Sequence, residues 1–502
     1  MLTRLKINGF KNLVDVDVRF GPFTCIAGAN GVGKSNMFDA IRFLAALSDT
    51  TLLNAAFSVR AEEGKSPDIR GLFHRAGKSH SERMRFEVEM IVPPEAIDDF
   101  GKKGTAKITS LRYLLELAYR KQEPSMMTTL GGELEIVREE LTHIQKGAAT
   151  KHFLFPHTLQ WRDSAITGAC RSPLISTVGG EGGRTLIKLH QDGNRGRPSL
   201  HPADNLPRTV LSSGNASESP TVLCARREMS SWKFLQLEPS ALRKPSDFIS
   251  PTQIGTDGLN LPSTLYHLAR LAPELGIAAD EDAAYCQIAN RLSELIGSVG
   301  SIRVDRDEKR ELFTLMLKEL NGTELPARAL SDGTLRFLAL AVLEMDGRSG
   351  EVLCLEEPEN GIHPERIPAI IRLLQDISSD ATDTIDPTNP LRQVIVNTHS
   401  PAVVSEVPDD SLLVAELEES VIGNEKISQA RFSCLPDTWR MDAMGKPNVI
   451  ARGKLLSYLN PNAISYDGKR EGGAAREGAV KRRRKVRERD DLQLLLPMEC
   501  EQ

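Results

Sequence analysis

The sequence contains no uncharged apolar run approaching the roughly eighteen residues that a membrane-spanning helix needs, so no membrane association is expected. Its start, Met1-Leu2-Thr3-Arg4-Leu5-Lys6, leads directly into strand-like sequence and lacks the apolar core of a signal peptide. Cys25, Cys170, Cys224, Cys286, Cys354, Cys434 and Cys500 are scattered without a C-x-x-C pair, which excludes a disulfide framework or a clustered zinc site. They read as reduced thiols, and a cytoplasmic location is expected. A net charge of -5 excludes a protein coated in positive charge, so any nucleic-acid binding must rest on local patches. No long heptad repeat is present, which excludes a long coiled-coil arm. What remains is an ordinary globular composition, 40% hydrophobic and 26% charged, over 502 residues. That length has room for several domains, or for one large domain with insertions.

One stretch carries chemistry at once. Gly28-Ala29-Asn30-Gly31-Val32-Gly33-Lys34-Ser35-Asn36 fits the phosphate-cradling pattern G-x-x-x-x-G-K-[ST]. Before it, Phe23-Thr24-Cys25-Ile26-Ala27 can lie in a buried strand; after it, residues 37–47 are apolar on most faces, as a buried helix should be. Glycines at the bends let successive N–H groups point at phosphate oxygens, and the helix N-terminus adds partial positive charge. Gly28, Asn30, Gly31, Gly33, Lys34, Ser35 and Asn36 are the expected nucleotide-binding residues. Lys34 is expected to reach the outer phosphates, and the Ser35 hydroxyl to ligate Mg²⁺.

Around this loop, alternation predicts half-buried strands over 14–20 and 83–92, and 111–120 and 134–141 look like further strands of the same β-rich lobe. Glycine-rich and polar segments between about 145 and 225 read as a loop-rich surface insertion. Residues 259–296 regain helical periodicity, and 302–320 suggests a hairpin.

A second cluster follows. Leu330-Ser331-Asp332-Gly333-Thr334 precedes an apolar helix, which by itself is only a capped helix start. Glu351-Val352-Leu353-Cys354-Leu355-Glu356-Glu357 is a buried strand delivering two carboxylates to a sheet edge, where ligands bind in α/β folds. Successive side chains on a strand diverge, so Glu356 and Glu357 can take separate tasks. Val394-Ile395-Val396 is another buried run, and His399 lands at its end, at the same edge.

These pieces, in this order, resemble the ATP-binding-cassette head of the SMC/RecF/OLD group, and most closely the compact AAA-type ATPases of bacterial defence modules. The resemblance covers roughly 1–145 and 225–430. It implies an α/β fold, an ABC-type P-loop head with a mixed sheet, an antiparallel β lobe and a helical insertion. By it, 28–35 is the Walker A loop, Ser331 and Gly333 belong to the signature motif, and 353–357 is Walker B. Glu356 then joins Ser35 as a metal ligand, Glu357 polarises the attacking water, Glu359 and Asn360 fall at the D-loop, and His399 is the switch histidine. Two departures stand out: the signature is LSDGT, and Walker B ends in Glu-Glu where the family usually has Asp-Glu. The glutamine that completes the metal shell is not located; Gln122 and Gln145 are candidates. The implied cofactors are ATP and Mg²⁺, and the implied assembly is a head-to-tail homodimer or higher homo-oligomer.

The implied domain limits are 1–145 for the first half of the head, 146–225 for the insertion, 226–430 for the second half, and 431–502 for an extension. No Asp-x-Asp set of a Toprim nuclease follows His399, so effector activity is expected in a separate nuclease or toxin partner. The extension carries Lys481-Arg482-Arg483-Arg484-Lys485-Val486-Arg487-Glu488-Arg489, a basic block that reads equally as a solvated tail or as a contact for DNA or an acidic partner. A RecF-like repair ATPase and a slowly hydrolysing scaffold that sequesters a toxin or nuclease are the alternative functions. A transporter ATPase is disfavoured by Gly9-Phe10-Lys11-Asn12 and by the LSDGT form.

Overall fold

A computed structural model describes residues 1–59, 69–77, 79–120, 134–180, 184–192, 197–273, 279–346, 351–422, 425–443, 448–459 and 484–489. Two sheets organise the chain. The first has eight strands, all antiparallel, in the spatial order Ser199–Pro202, Thr185–Leu189, Ile175–Gly179, Leu134–His143, Ser110–Tyr119, Arg83–Ile91, Leu2–Asn8, Val16–Arg19. Its central strands bury one face completely, with Met84, Phe86, Val88 and Met90 pointing inward together, as the alternation required.

The second sheet has six strands in the order Lys233–Leu235, Val352–Glu356, Gln393–Thr398, Phe23–Ala27, Leu412–Ile422, Glu425–Cys434. The first five run parallel and the last is antiparallel. Parallel strands buried on both faces read as continuous apolar runs, which is why FTCIA, VLCL and VIV show no alternation. Ile26, Cys354, Ile395 and Leu413 face one core, shared with the helix Lys34–Leu47 and the antiparallel lobe. Cys25, Leu355, Val396 and Leu412 face the other, with the helices Leu261–Leu271, Glu281–Ile296, Asp332–Met345 and Ile367–Ile377. The mixed α/β class is therefore as expected. So are the helical segment and the hairpin, which is Val299–Asp307 paired with Leu312–Glu319.

Residues 146–225 differ from the loop reading. Three of their segments are strands that prolong the antiparallel sheet, and the helix Leu159–Ala165 buries Trp161 completely. Each of these strands has five or fewer residues, too few to show a period, and Gly179, one of the glycines that suggested a loop, ends the first of them. Residues 181–183 and 193–196 lie outside the described residues.

The basic block also differs, over the part described. Residues 484–489 dock on the chain instead of projecting into solvent: Val486 is fully buried and its N–H donates to Val407 O at 3.0 Å. Arg484 and Arg489 pair with Asp409 at 2.8 and 3.3 Å, and Lys485 and Arg487 pair with Glu406. Charge alone could not reveal this, because the two carboxylates that take the cations lie some 75 residues earlier. Lys481, Arg482 and Arg483 lie outside the described residues. No helix among the described residues is long and apolar enough to cross a membrane.

Candidate functional site

The parallel register brings four strand ends to one edge. Ala27 pairs with Thr398, Asn397 with Glu356, and Leu355 with Leu235. The residues that follow (Gly28, His399, Glu357 and Gln236) therefore emerge side by side. In open α/β sheets this edge is where ligands bind.

The loop 28–33 turns into its helix at Gly33, whose φ of 112° is left-handed. A Cβ there would meet Ala430 Cβ at 2.7 Å and the Asn12 side-chain amide at 2.8 Å, so only glycine fits. The helix Lys34–Leu47 has no side-chain cap and no acidic residue in its first turn, leaving its first N–H groups open to an anion. Lys34 Nζ folds back and donates to Gly28 O at 2.7 Å and Ala29 O at 2.8 Å. Burial lowers its pKa, while the carboxylates of Glu357 and Glu359 work against that. Ala29, Asn30, Gly31 and Ser35 are exposed, and Asn36 Nδ2 donates to Asn12 Oδ1 at 2.7 Å.

The two adjacent acids do diverge. Glu356 ends its strand on the face toward the helix 34–47; its electrostatic neighbours are Arg42, Asp39 and Glu357, and burial raises its pKa. Ser35, Asp39 and Arg42 are spaced four and three residues apart, so they share one stripe of that helix, and Glu356 faces the stripe that starts at Ser35. Glu357 takes a left-handed backbone, φ 45°, and points the other way. Its Oε1 accepts from His399 Nδ1 at 2.6 Å and its Oε2 from Asn360 Nδ2 at 2.8 Å. Burial works to raise Glu357, but those two bonds, with the charge of His399 and Lys34, outweigh it and hold the carboxyl below the ordinary glutamate range. Lys34, Glu357 and His399 thus share one electrostatic environment, although 365 residues separate the first from the last.

Among the described residues no three His, Cys, Asp or Glu side chains cluster to hold a metal unaided. Ser35 and Glu356 offer one hydroxyl and one carboxylate, a hard oxygen pair that suits Mg²⁺ sharing its remaining positions with water and phosphate.

Ser331 and Gly333 sit elsewhere in this chain. Ser331 Oγ accepts from Thr334 N at 3.2 Å, so it caps its own helix, Asp332–Met345. Gly333 lies 3.6 Å, by its Cβ direction, from Gly361 O. Their neighbours are the turn after Glu357 and Arg243, which pairs with Asp332 and donates to Leu330 O at 3.0 Å.

Of the two glutamine candidates, the one described does not reach the edge. Gln145 donates to Cys170 O at 2.5 Å in the antiparallel lobe, and Gln122 lies outside the described residues. Gln236 is the glutamine in position: exposed at the end of the strand beside Val352–Glu356, it lines a cavity of about 460 Å³ with Glu356, Arg42 and Phe234. Its strand has only three residues, too few for a periodic signal. Asn12 was missed as well; it braces Val32, Gly33 and Asn36 from a turn that Lys11 anchors through Asp39 at 2.5 Å.

Both halves of this edge match known families. A family model described as "AAA domain" matches residues 4–145, which hold the phosphate loop. A second, described as "AAA domain, putative AbiEii toxin, Type IV TA system", matches 213–405, which hold the acids and His399. Both stretches are thus similar to AAA-domain families. Solved structures similar to this chain include an SMC head bound to the C-winged helix domain of ScpA, at 14% identity and TM-score 0.44, covering 86% of this chain and 98% of that one. Another is the SMC head domain from Thermotoga maritima, at 10% identity and TM-score 0.36, covering 86% and 98%. No curated protein matches the chain.

Proposed function

We propose that the chain binds and hydrolyses ATP as a nucleotide-switched dimer. The observation that carries this reading is the convergence of Lys34, Glu357 and His399 on the sheet edge beside an uncapped helix N-terminus. In this reading the N–H groups of 31–35 and the Lys34 ammonium take the phosphates, Lys34 exchanging its two loop carbonyls for phosphate oxygens. Ser35 and Glu356, with Gln236, hold Mg²⁺, which when bound neutralises phosphate charge. Glu357, ionised and oriented by Asn360 and His399, orients the attacking water and accepts its proton. Because its Nδ1 faces the Glu357 carboxylate, His399 keeps Nε2 for the terminal phosphate.

The dimer reading rests on Ser331 and Gly333. Ser331 caps, and Gly333 lies in the first turn of, a helix on the face of the sheet opposite the helix 34–47, so a second copy is taken to lay that N-terminus on the nucleotide. A role as the ATPase component of an antiphage defence or DNA-directed complex is supported by the toxin–antitoxin wording of the second family description; a separate nuclease or toxin as effector is part of the same proposal. Lys34→Ala and Glu357→Gln are expected to lower ATP turnover by about a hundredfold or more, with Glu357→Gln still binding ATP. Phosphate release and equilibrium nucleotide binding measure the two effects. Turnover unchanged in Glu357→Gln, with wild type equally slow, points to the ATP-bound scaffold.

A further inference from the structure

The turn that follows the acidic strand and the turn that carries His399 run side by side and are joined twice. The outer joint is the His399–Glu357 bond already described. The inner joint is buried and no step above uses it. Glu359, 7% exposed, accepts a hydrogen bond from the Thr398 hydroxyl, and Thr398 Oγ1 accepts from Ser400 N–H at 2.9 Å. These two bonds fix the direction of the hydroxyl. An amide can only donate, so Thr398 presents a lone pair to Ser400 and its one proton to Glu359. Thr398 and Ser400 flank His399, so the chain of bonds holds the peptide on both sides of the histidine.

Stability alone gives no reason for an acid here. Thr398 is fully buried, and Glu359 Oε2 is buried without a hydrogen-bond partner among the described residues, beyond the polarising effect of the residue's own amide. Leaving a buried acceptor unmet is costly, and such groups call for a functional account. Glu357 shows what the inner joint can control. Its two oxygens are divided between His399 at 2.6 Å and Asn360 at 2.8 Å, and Asn360 lies on Glu357's own turn. A slip of 398–400 would therefore break the first bond and leave the second.

We propose that Glu359 is a positioning residue for His399, acting through Thr398: the buried Glu359–Thr398–Ser400 chain sets the placement in which His399 meets Glu357. The catalytic consequence rests on the ATPase reading; the placement itself does not.

The test compares Thr398→Val, which removes the hydroxyl at nearly constant volume, with Thr398→Ser, which keeps it, in the full-length chain. The first readout is the side-chain ¹⁵N signal of His399 in nucleotide-free protein. Wild type and Thr398→Ser should show one tautomer with the proton on Nδ1, and Thr398→Val an averaged pair. The second is ATP turnover: Thr398→Val should lose about tenfold or more in kcat with KM within about twofold, and Thr398→Ser should stay within about threefold of wild type in both. If Thr398→Val unfolds, Glu359→Leu removes the acceptor instead and should likewise lose the single tautomer. A wild-type His399 signal retained in either folded variant overturns the proposal, whatever the turnover. Loss of the signal in a protein that hydrolyses no ATP even as wild type supports the positioning and overturns the ATPase reading alone.

Discussion

At the scale of single residues, charge and burial decide what each group can do. Glu89 is the clearest case outside the candidate site. It is fully buried, and burial by itself would raise its pKa. The close contact of His152 Nδ1 at 3.0 Å, the charge of Arg19 and a bond from Arg4 at 2.9 Å reverse this, taking it from an ordinary 4.5 to about 2. A carboxyl depressed in the folded state stabilises the fold above its unfolded pKa, and the contribution fades as pH falls from 4.5 toward 2. Thermal melts of wild type should therefore drop steeply across that window. Glu89→Gln should melt lower at neutral pH, by on the order of 3 kcal/mol, and show a shallower acid slope. An equal acid slope in both proteins would remove Glu89 from the account.

Single residues also mark what the sequence made legible. Lys34, Glu357 and His399 could be read because each ends or follows an apolar run that only a buried strand explains. Gln236 could not, since nothing in a three-residue strand separates it from other glutamines. Glu359 was legible as a turn residue, but its bond to Thr398 depends on two turns meeting across a sheet edge.

At the scale of elements, the helix Lys34–Leu47 and the docked segment 484–489 show opposite uses of charge. The helix keeps its N-terminus bare and free of acids, which leaves the anion site to a ligand. The segment spends its cations internally. Arg489 is 3% exposed, and with Arg484 it shares Asp409, itself mostly buried. Removing one partner of a buried pair strands the other, so Asp409→Ala should cost about 3 kcal/mol in chemical denaturation. Exposed ion pairs are worth far less, and an effect below about 1 kcal/mol would mean that the segment is not held as described. Glu406 closes the helix Pro401–Glu406, which begins two residues after His399, so the docked segment also braces the element leading away from the site.

At the scale of the whole molecule, the parallel sheet carries the candidate site and the antiparallel lobe shares a core with it. The helix that Ser331 caps belongs to the other core, on the opposite face of the sheet from the helix 34–47. That separation is the basis for expecting a second copy. Ser331→Arg places a bulky cation where the partner's nucleotide would approach, and should abolish turnover while leaving ATP binding to the isolated chain within about threefold. Light scattering of Glu357→Gln with ATP should show a dimer, and the added Ser331→Arg should return it to monomer. Hydrolysis intact in Ser331→Arg would mean that one copy is sufficient.

The sequence by itself determined the strand–glycine-rich loop–helix unit, the acidic strand end and the mixed α/β class. Each rests on local spacing: glycines where backbone must bend, unbroken apolar runs where strands are buried on both faces, alternation where one face is wet. Only the tertiary structure decided which distant residues face each other. It set His399 on Glu357, brought Gln236 beside Glu356, and turned part of a basic tail into a docked segment. Those outcomes depend on strand register and on which carboxylates lie opposite which cations, and a linear spacing pattern carries neither.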